Sequence, residues 1–468
     1  MKRFRLLSLL LLAACAAGPD YERPAAPGAP EFRETPAAWK QAQPRDEIAR
    51  GRWWEIFGDA QLNAFIERID VSNQTLAAAE AQYRQAEAAL GIARAPLLPT
   101  VDGNVSVTRS RSPTGAIGGT TAGRTLTNRS ASLSASWELD LWGRVRRSVE
   151  AAGAALEASA GDVGAARLSL QAQLATAYFQ LRLLDAQKQL LQDIASGFRK
   201  SLELTRNRYD VGVAAKVDVV QADAQLKSTL VQAVDLGVQR AQLEHAIAVL
   251  TGVPPAQFSI APQPVYPAFM PVIPPGLPSA LLERRPDVAA AERRVAAANA
   301  QIGVAKAAFF PQATLTGSFG FRSTEAAGWL SAPSRFWSIG PAIVQSIFDA
   351  GLRRTQSEQA IAAYDATVAN YRQVTLTAFQ EVEDNLVALR ILEEEAQLQN
   401  EALQAARQSV ALTLNQYKAG TVSFINVVTV QAAQLSEERN AVGILERRLA
   451  AAVALVKAIG GGWNAADR

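Results

Sequence analysis

One histidine and one cysteine are all that this chain offers to the usual chemistry of metal binding and nucleophilic attack. A protein zinc site draws three or four ligands, mostly from those two residue types, so zinc is excluded on ligand count. His245 falls inside a helical pattern and reads as a packed or solvated side chain. No glycine-rich loop ends in Lys and Ser/Thr to cradle a phosphate, and no Gly-x-Ser-x-Gly turn exposes a nucleophile. Neither an enzyme nor a self-powered transporter fits these residues. No catalytic group, metal or cofactor is expected, and the energy for any transport must come from a partner.

Cys15 has another chemistry open to it. Lys2, Arg3 and Arg5 precede a short apolar run, Leu6 to Leu12, and Leu12-Ala13-Ala14 leads directly into Cys15. That is the layout of a secretory leader, and the run is too short to cross a bilayer as a helix. An incidental thiol is the bland alternative, but Leu-Ala-Ala-Cys resembles a bacterial lipobox. On that resemblance residues 1–14 are a signal peptide, Cys15 carries a covalent lipid, and Ala16 in place of Asp implies the outer membrane. Each buried acyl methylene contributes roughly 0.8 kcal/mol, so several chains would anchor the N-terminus in lipid. Without the three leader cations, 44 basic residues face 44 acidic ones, and no basic field for nucleic acid remains. As the sole cysteine, Cys15 cannot form an intramolecular disulfide.

The elements that must position anything else come twice. Residues 15–59 read as a lipidated tether rich in Pro, Ala and Gly. Beyond it Gly91 recurs as Gly303, Gly143 as Gly351, and Tyr209-x-x-Gly212 as Tyr417-x-x-Gly420, at offsets of 212, 208 and 208. Three landmarks in one order with nearly constant spacing argue for duplication into halves 60–253 and 285–459. Nine prolines between 254 and 278 make the joining segment, 254–284, an extended crossover. Residues 460–468 are left as a tail.

Each half reads as helix, strand, strand, very long helix, turn, helix. The long helices, about 143–208 and 351–416, would each reach roughly 95–100 Å at 1.5 Å per residue. Val382, Leu389, Ala396, Leu403, Val410 and Tyr417 recur every seven positions, as do Leu174, Leu181, Lys188, Ala195, Leu202 and Tyr209. That period means coiled-coil packing. Only 19% of residues are charged and 7% aromatic, which also suits helix on helix.

Four strands are expected, at 100–112, 128–141, 312–322 and 337–349. Ala313, Leu315, Gly317, Phe319 and Phe321 alternate with Thr314, Thr316, Ser318 and Gly320, and residues 131–141 alternate in the same way. No segment after the leader is long and apolar enough for a transmembrane helix. In a chain addressed to the outer membrane, strands of this length suit a tilted barrel. Four cannot close one, since bacterial outer-membrane barrels need at least eight and lipid does not tolerate open edges. Several copies in cyclic symmetry are then required.

Gly18-Pro19-Asp20-Tyr21, Trp53-Trp54, Trp137-Glu138-Leu139-Asp140-Leu141-Trp142-Gly143-Arg144 and Glu283-Arg284-Arg285-Pro286-Asp287 appear in order along the mature chain. Together with Phe310-Pro311 and Phe348-Asp349, they make the chain resemble TolC-like outer-membrane factors, in the lipoprotein branch serving resistance-nodulation-division (RND) efflux systems. The resemblance implies a mainly α fold with four strands per chain. Three chains would form a homotrimer whose β-barrel continues into a long periplasmic α-helical barrel. It also implies a passive conduit for drugs or other small solutes, working with a periplasmic adaptor and an inner-membrane RND pump. Tyr209, Gly212, Tyr417 and Gly420 match the family's adaptor-docking hairpin tips. At the aperture, the second-half positions where the family often carries aspartate hold Asn426 and Thr429, while the first half has Asp218 and Asp223. Asp218 is the candidate charge at the constriction, with Arg208, Lys216 and Lys418 near enough in sequence to offset it. Two alternatives stay open: a channel for protein secretion, and a lipid-anchored periplasmic coiled-coil scaffold.

Overall fold

The computed structural model describes residues 17–28, 33, 52–111, 124–264, 270–271, 273 and 284–461. Cys15 and the leader lie outside the described residues. The first half contains α1 (Ala60–Ser72), α2 (Gln74–Arg94), β1 (Thr100–Arg111), β2 (Thr125–Glu138), α3 (Arg144–Asp210) and α4 (Lys216–Leu250). The second contains α5 (Pro286–Ala307), β3 (Gln312–Ser323), β4 (Arg335–Val344), α6 (Leu352–Lys418) and α7 (Phe424–Ala458). Both ends of α6 and of α7 fall 208 positions after the matching ends of α3 and α4. Among the described residues, no helix is long and apolar enough to cross a membrane.

β2 begins at Thr125, three residues before the expected 128, and other boundaries depart from the sequence expectations as well. Where one helix was expected before β1 there are two, because the Asn73 side chain accepts from Leu76 N at 2.9 Å and starts a new helix. Its amide also donates to Leu250 O at 2.8 Å. The end of the 15–59 tether is folded: Trp53–Phe57 forms a 3-10 turn with Trp53, Trp54 and Phe57 buried, and Asp59 caps α1 through the N–H groups of Gln61 and Leu62. β2 stops at Glu138 instead of 141, because Asp140 turns to accept from Val145 N and Arg146 N at the start of α3. β4 begins two residues early and ends at Val344, since Asp349 accepts from Gly351 N ahead of α6.

The chain divides into two compact units. One holds Gln82–Ala160, Ala290–Tyr371 and the described residues up to Ala25. Its centre is an antiparallel meander in the order β1-β2-β3-β4, with β1 and β4 at the edges. Register pairs Val105 with Ala131, Ala131 with Phe321, and Phe319 with Trp337. Directly paired residues share a face, so one face is apolar. Asn104, Ser132, Gly320 and Phe336 line up on the other, where serines and threonines dominate.

Below the sheet, Trp142 stacks on Phe310 at 4.8 Å and donates to Pro311 O at 2.8 Å. The N-terminal segment straps across the same unit. Ala17 N donates to Trp142 O (2.9 Å), Arg147 Nη2 to Asp20 Oδ1 (2.8 Å), and Asn299 Nδ2 to Pro19 O (3.1 Å). Tyr21 donates its hydroxyl proton to Glu292, and burial, followed by that bond to a carboxylate, pushes the phenol well above its usual range. Gly18 has φ 98°, and a Cβ there would meet the Cα of Gly303 at 2.4 Å. Gly91, the duplicate of Gly303, faces open space. The duplicates of Asn299 and Arg147 are Glu87 and Thr355, so the strap has one seat rather than two.

The other unit holds Ala26–Ala81, Gly161–Ala289 and Arg372–Arg468. Its core gathers Trp53, Phe57, Leu62 and Ile66 with Phe179, Leu181, Val382 and Leu455. A buried ionic cluster holds the start of the crossover. Asp185 accepts from Arg182 and Arg240, and these donate to Ala261 O (2.8 Å) and Ile260 O (2.6 Å). Gln263 N donates back to Asp185 at 3.0 Å. An extended, proline-rich segment has few backbone bonds of its own, and here side chains supply them. Arg285 joins Asp287 (2.7 Å), Glu381 (2.6 Å) and Ala458 O (3.1 Å), which gives the Glu-Arg-Arg-Pro-Asp stretch a structural role at the end of α7. Burial opposes the charge of Asp287, but the bonds from Arg285 hold its carboxyl below the ordinary range.

Candidate functional site

The two turns that reverse the long helices share one backbone design. In the α3–α4 turn, Gly212 N donates to Tyr209 O (2.9 Å) and Val213 N to Arg208 O (2.8 Å). In the α6–α7 turn, Gly420 N donates to Tyr417 O (3.0 Å) and Thr421 N to Gln416 O (3.0 Å). Both pairs are Schellman caps, which need a left-handed residue just past the helix. Gly212 and Gly420 supply it, at φ 76° and 79°. The two tyrosines therefore occupy the same position of the same motif.

Their side chains do not share an environment. Tyr209 is 42% exposed, beside Val211 and Val213, which are also exposed. Tyr417 is 4% exposed. Its ring meets Phe424 at 5.3 Å, and its hydroxyl lies 3.4 Å from Thr205 Oγ1. Phe424 and Val427 continue from Tyr417 into a core with Phe198, Leu202, Ala222 and Leu226. Arg208 belongs to α3 but serves the other turn. Its guanidinium carbon sits 4.7 Å from the centre of the Tyr417 ring, and Nη1 donates to Tyr417 O (2.8 Å) and Lys418 O (3.3 Å). Orphan carbonyls at a helix end attract a cation, and Arg208 meets two of them.

The expected aperture residues fall into three environments. Asp218 is the third residue of α4 and accepts from Ala215 N at 3.3 Å, so its carboxylate caps its own helix. Asp223, half-buried, pairs with Lys227 at 2.6 Å. Asn426 and Thr429 are exposed, each bonded within its own first turns: Asn426 Nδ2 to Ser423 Oγ (3.4 Å) and Thr429 Oγ1 to Ile425 O (2.9 Å). Of the three cations considered as partners for Asp218, Arg208 is committed to the α6–α7 turn, while Lys216 and Lys418 are exposed. Sequence reasoning missed Phe424 and the reach of Arg208. Phe424 could have been found, because it lies seven residues after Tyr417 and extends the heptad track through the turn.

Between α3, α6 and α7, just behind the turns, is a cavity of about 590 Å³ lined by Ile194, Phe198, Leu204, Leu414, Gln431 and Glu438. Arg407 bridges to Glu438 across it at 3.1 Å. The lining mixes apolar and polar side chains. Among the described residues no group of His, Cys, Asp and Glu could hold a metal ion.

Comparison with known proteins agrees along almost the whole chain. The profile of a family described as outer membrane efflux protein matches residues 65–253 and 277–461. The pyoverdine export outer membrane protein OpmQ of Pseudomonas aeruginosa is 31% identical over 99% of this chain and 98% of its own. The antibiotic efflux pump outer membrane protein ArpC of Pseudomonas putida is 33% identical over 98% of this chain and 96% of its own. The solved outer-membrane channel OprN superposes with a TM-score of 0.90 at 31% identity, over 96% of this chain and all of that one.

Proposed function

The chain belongs to the outer membrane efflux protein family, and on that premise we propose that three copies of it close one channel serving a tripartite efflux system. The protein is an outer-membrane efflux channel component with a large periplasmic helical portion. Its partners are a periplasmic adaptor and an inner-membrane RND-type pump, which supplies the energy. A lipid on Cys15 holds the N-terminus in the outer membrane. The observation that carries the trimer is the sheet itself. It has one apolar face, one polar face and two unpaired edges at β1 and β4. Lipid tolerates no open edge, and four strands are too few to close. Three copies joined β4 to β1 give twelve strands, an even number within the observed range, with the serine- and threonine-rich face lining the passage.

Tyr209, Gly212, Tyr417 and Gly420 mark the periplasmic tips where the adaptor docks. Asp218, Asp223, Asn426 and Thr429 lie in the first turns after the reversals, where three copies converge on an aperture. The cargo is small solutes. Pyoverdine and antibiotics are named for relatives and indicate the class rather than the substrate. Deleting the gene in a strain without other channels of this family, and measuring accumulation of several dyes and antibiotics, tests the reading. Raised accumulation, restored by the wild-type sequence, is the expected result. Unchanged accumulation of every compound would overturn it.

A further inference from the structure

The two faces of the sheet differ in charge as well as in hydropathy. The apolar face, traced by register through Val105, Ala131, Phe321 and Arg335, carries no carboxylate on any strand. It does carry four arginines: Arg109 and Arg111 on β1, Arg129 on β2 and Arg335 on β4. All four lie at the end of the sheet away from the strand ends that join the helices. The two acids within the strands, Asp102 and Glu138, sit on the polar face near the opposite end.

None of the four makes an ion pair among the described residues. Arg109, Arg111 and Arg335 are exposed, and Arg129 spends one bond on Thr324 O at 3.3 Å. Residues 112–123 contain no charged side chain, and Glu325 is the single acid between β3 and β4. Eight residues separate Arg109 from Val101, and eight separate Arg129 from Trp137. At 3.4 Å per residue that is roughly 27 Å along a strand, or about 20 Å after a barrel tilt of 35–45°. The arginines therefore stand at the edge of an apolar band, where the hydrocarbon of a membrane gives way to headgroups. The planar fork of arginine matches phosphate oxygens two at a time. Phe321, paired directly with Arg335, and Trp337, two residues on, present apolar surface beside that fork on the same face.

We infer that Arg109, Arg111, Arg129 and Arg335 form a collar that binds the phosphate groups of phosphorylated glycolipid in the outer leaflet of the outer membrane. The inference rests on the reading that the sheet spans that membrane with its helices in the periplasm. Unpaired arginines at the lipid edge then meet a fixed anionic surface, and closure of the trimer repeats the collar around the barrel.

The test uses the purified full-length protein in phosphatidylcholine vesicles doped with bisphosphorylated lipid A or with its fully dephosphorylated counterpart, and counts lipid retained after extraction by native mass spectrometry. The bisphosphorylated lipid should be retained roughly tenfold or more over the dephosphorylated one, with the preference weakening as salt rises. The combined R109Q/R111Q/R129Q/R335Q variant should lose the preference. R322Q should keep it, because Arg322 lies on the polar face with its guanidinium 5.0 Å from the Phe336 ring. Equal retention of the two lipids by the wild-type protein would overturn the collar without any variant having to fold. Loss of the preference in millimolar inorganic phosphate would reassign the site to free phosphate and overturn the lipid assignment. Failure of the wild-type protein to insert at all would be a failure of the membrane-spanning reading, separable from either result.

Discussion

The α3–α4 and α6–α7 turns are copies of one motif with opposite interiors. Gly212 and Gly420 make the same left-handed cap, and Asp218 and Asn426 take the same third position of the following helix. Two duplicate pairs separate the copies: Lys216 stands where the second half has Phe424, and Gln416 stands where the first half has Arg208. Phe424 gives Tyr417 a ring to pack on, while Lys216 leaves Tyr209 exposed. Arg208 reaches out of its own turn to secure the other. Duplication thus preserved the backbone reversal and divided the side-chain work. One turn is sealed and the other leaves Tyr209, Val211 and Val213 exposed.

The comparison can be broken most sharply at the tyrosines. Tyr417→Ala should cost about 3–5 kcal/mol locally, as for truncation of a buried aromatic, whereas Tyr209→Ala should stay within about 0.5 kcal/mol. Hydrogen exchange across each turn reads both values. Similar loss of protection in the two variants would erase the asymmetry. Next, Arg208→Ala removes two charge-assisted bonds and should weaken the α6–α7 turn by about 1.5–3 kcal/mol. Faster exchange at Thr421 than at Val213 is the expected sign. The reverse order would make Arg208 a residue of its own turn.

The glycines test what the copies share. Gly212→Ala and Gly420→Ala should each cost about 1–2 kcal/mol, because both positions demand a left-handed backbone, and the added methyl meets no atom closer than 3.8 Å. A thermal-melt comparison that found only one of them costly would mean that the caps are not equivalent. The smallest effect belongs to the helix starts. Asp218→Asn should lose about 0.3–1 kcal/mol of helix-dipole stabilisation, and Asn426→Asp should gain a similar amount. Exchange at the first amides of α4 and α7 would show the two helices trading rank.

Much of this architecture was legible before any coordinates. The 208-residue offset recovered helix pairs whose ends agree residue by residue, because Gly143, Gly351, Gly212 and Gly420 mark those ends with a left-handed backbone that local sequence signals. Alternation located β2 and β3 and sorted their faces, although Asp140 and Asp349 moved strand ends by capping helices. What the pattern could not carry was pairing over long sequence distance. Arg208 lies within ten residues of Asp218, yet its acceptors are Tyr417 and Lys418, a connection no local window contains. The described residues 17–28 show the same limit. Proline and glycine predict an extended chain correctly but are silent on whether that chain lies against a folded surface. Gly18 and Asp20 do, against Gly303 and Arg147.

That strap has a consequence in the order of events during folding. Its partners Glu292 and Asn299 lie 271 and 280 residues downstream. At 5–20 residues per second, synthesis needs about 15–55 s to produce them after Tyr21. The strap's place therefore cannot be completed until synthesis has passed α5 and that helix has formed. Residues near the beginning of the chain are thus locked down only after the first half and α5 exist.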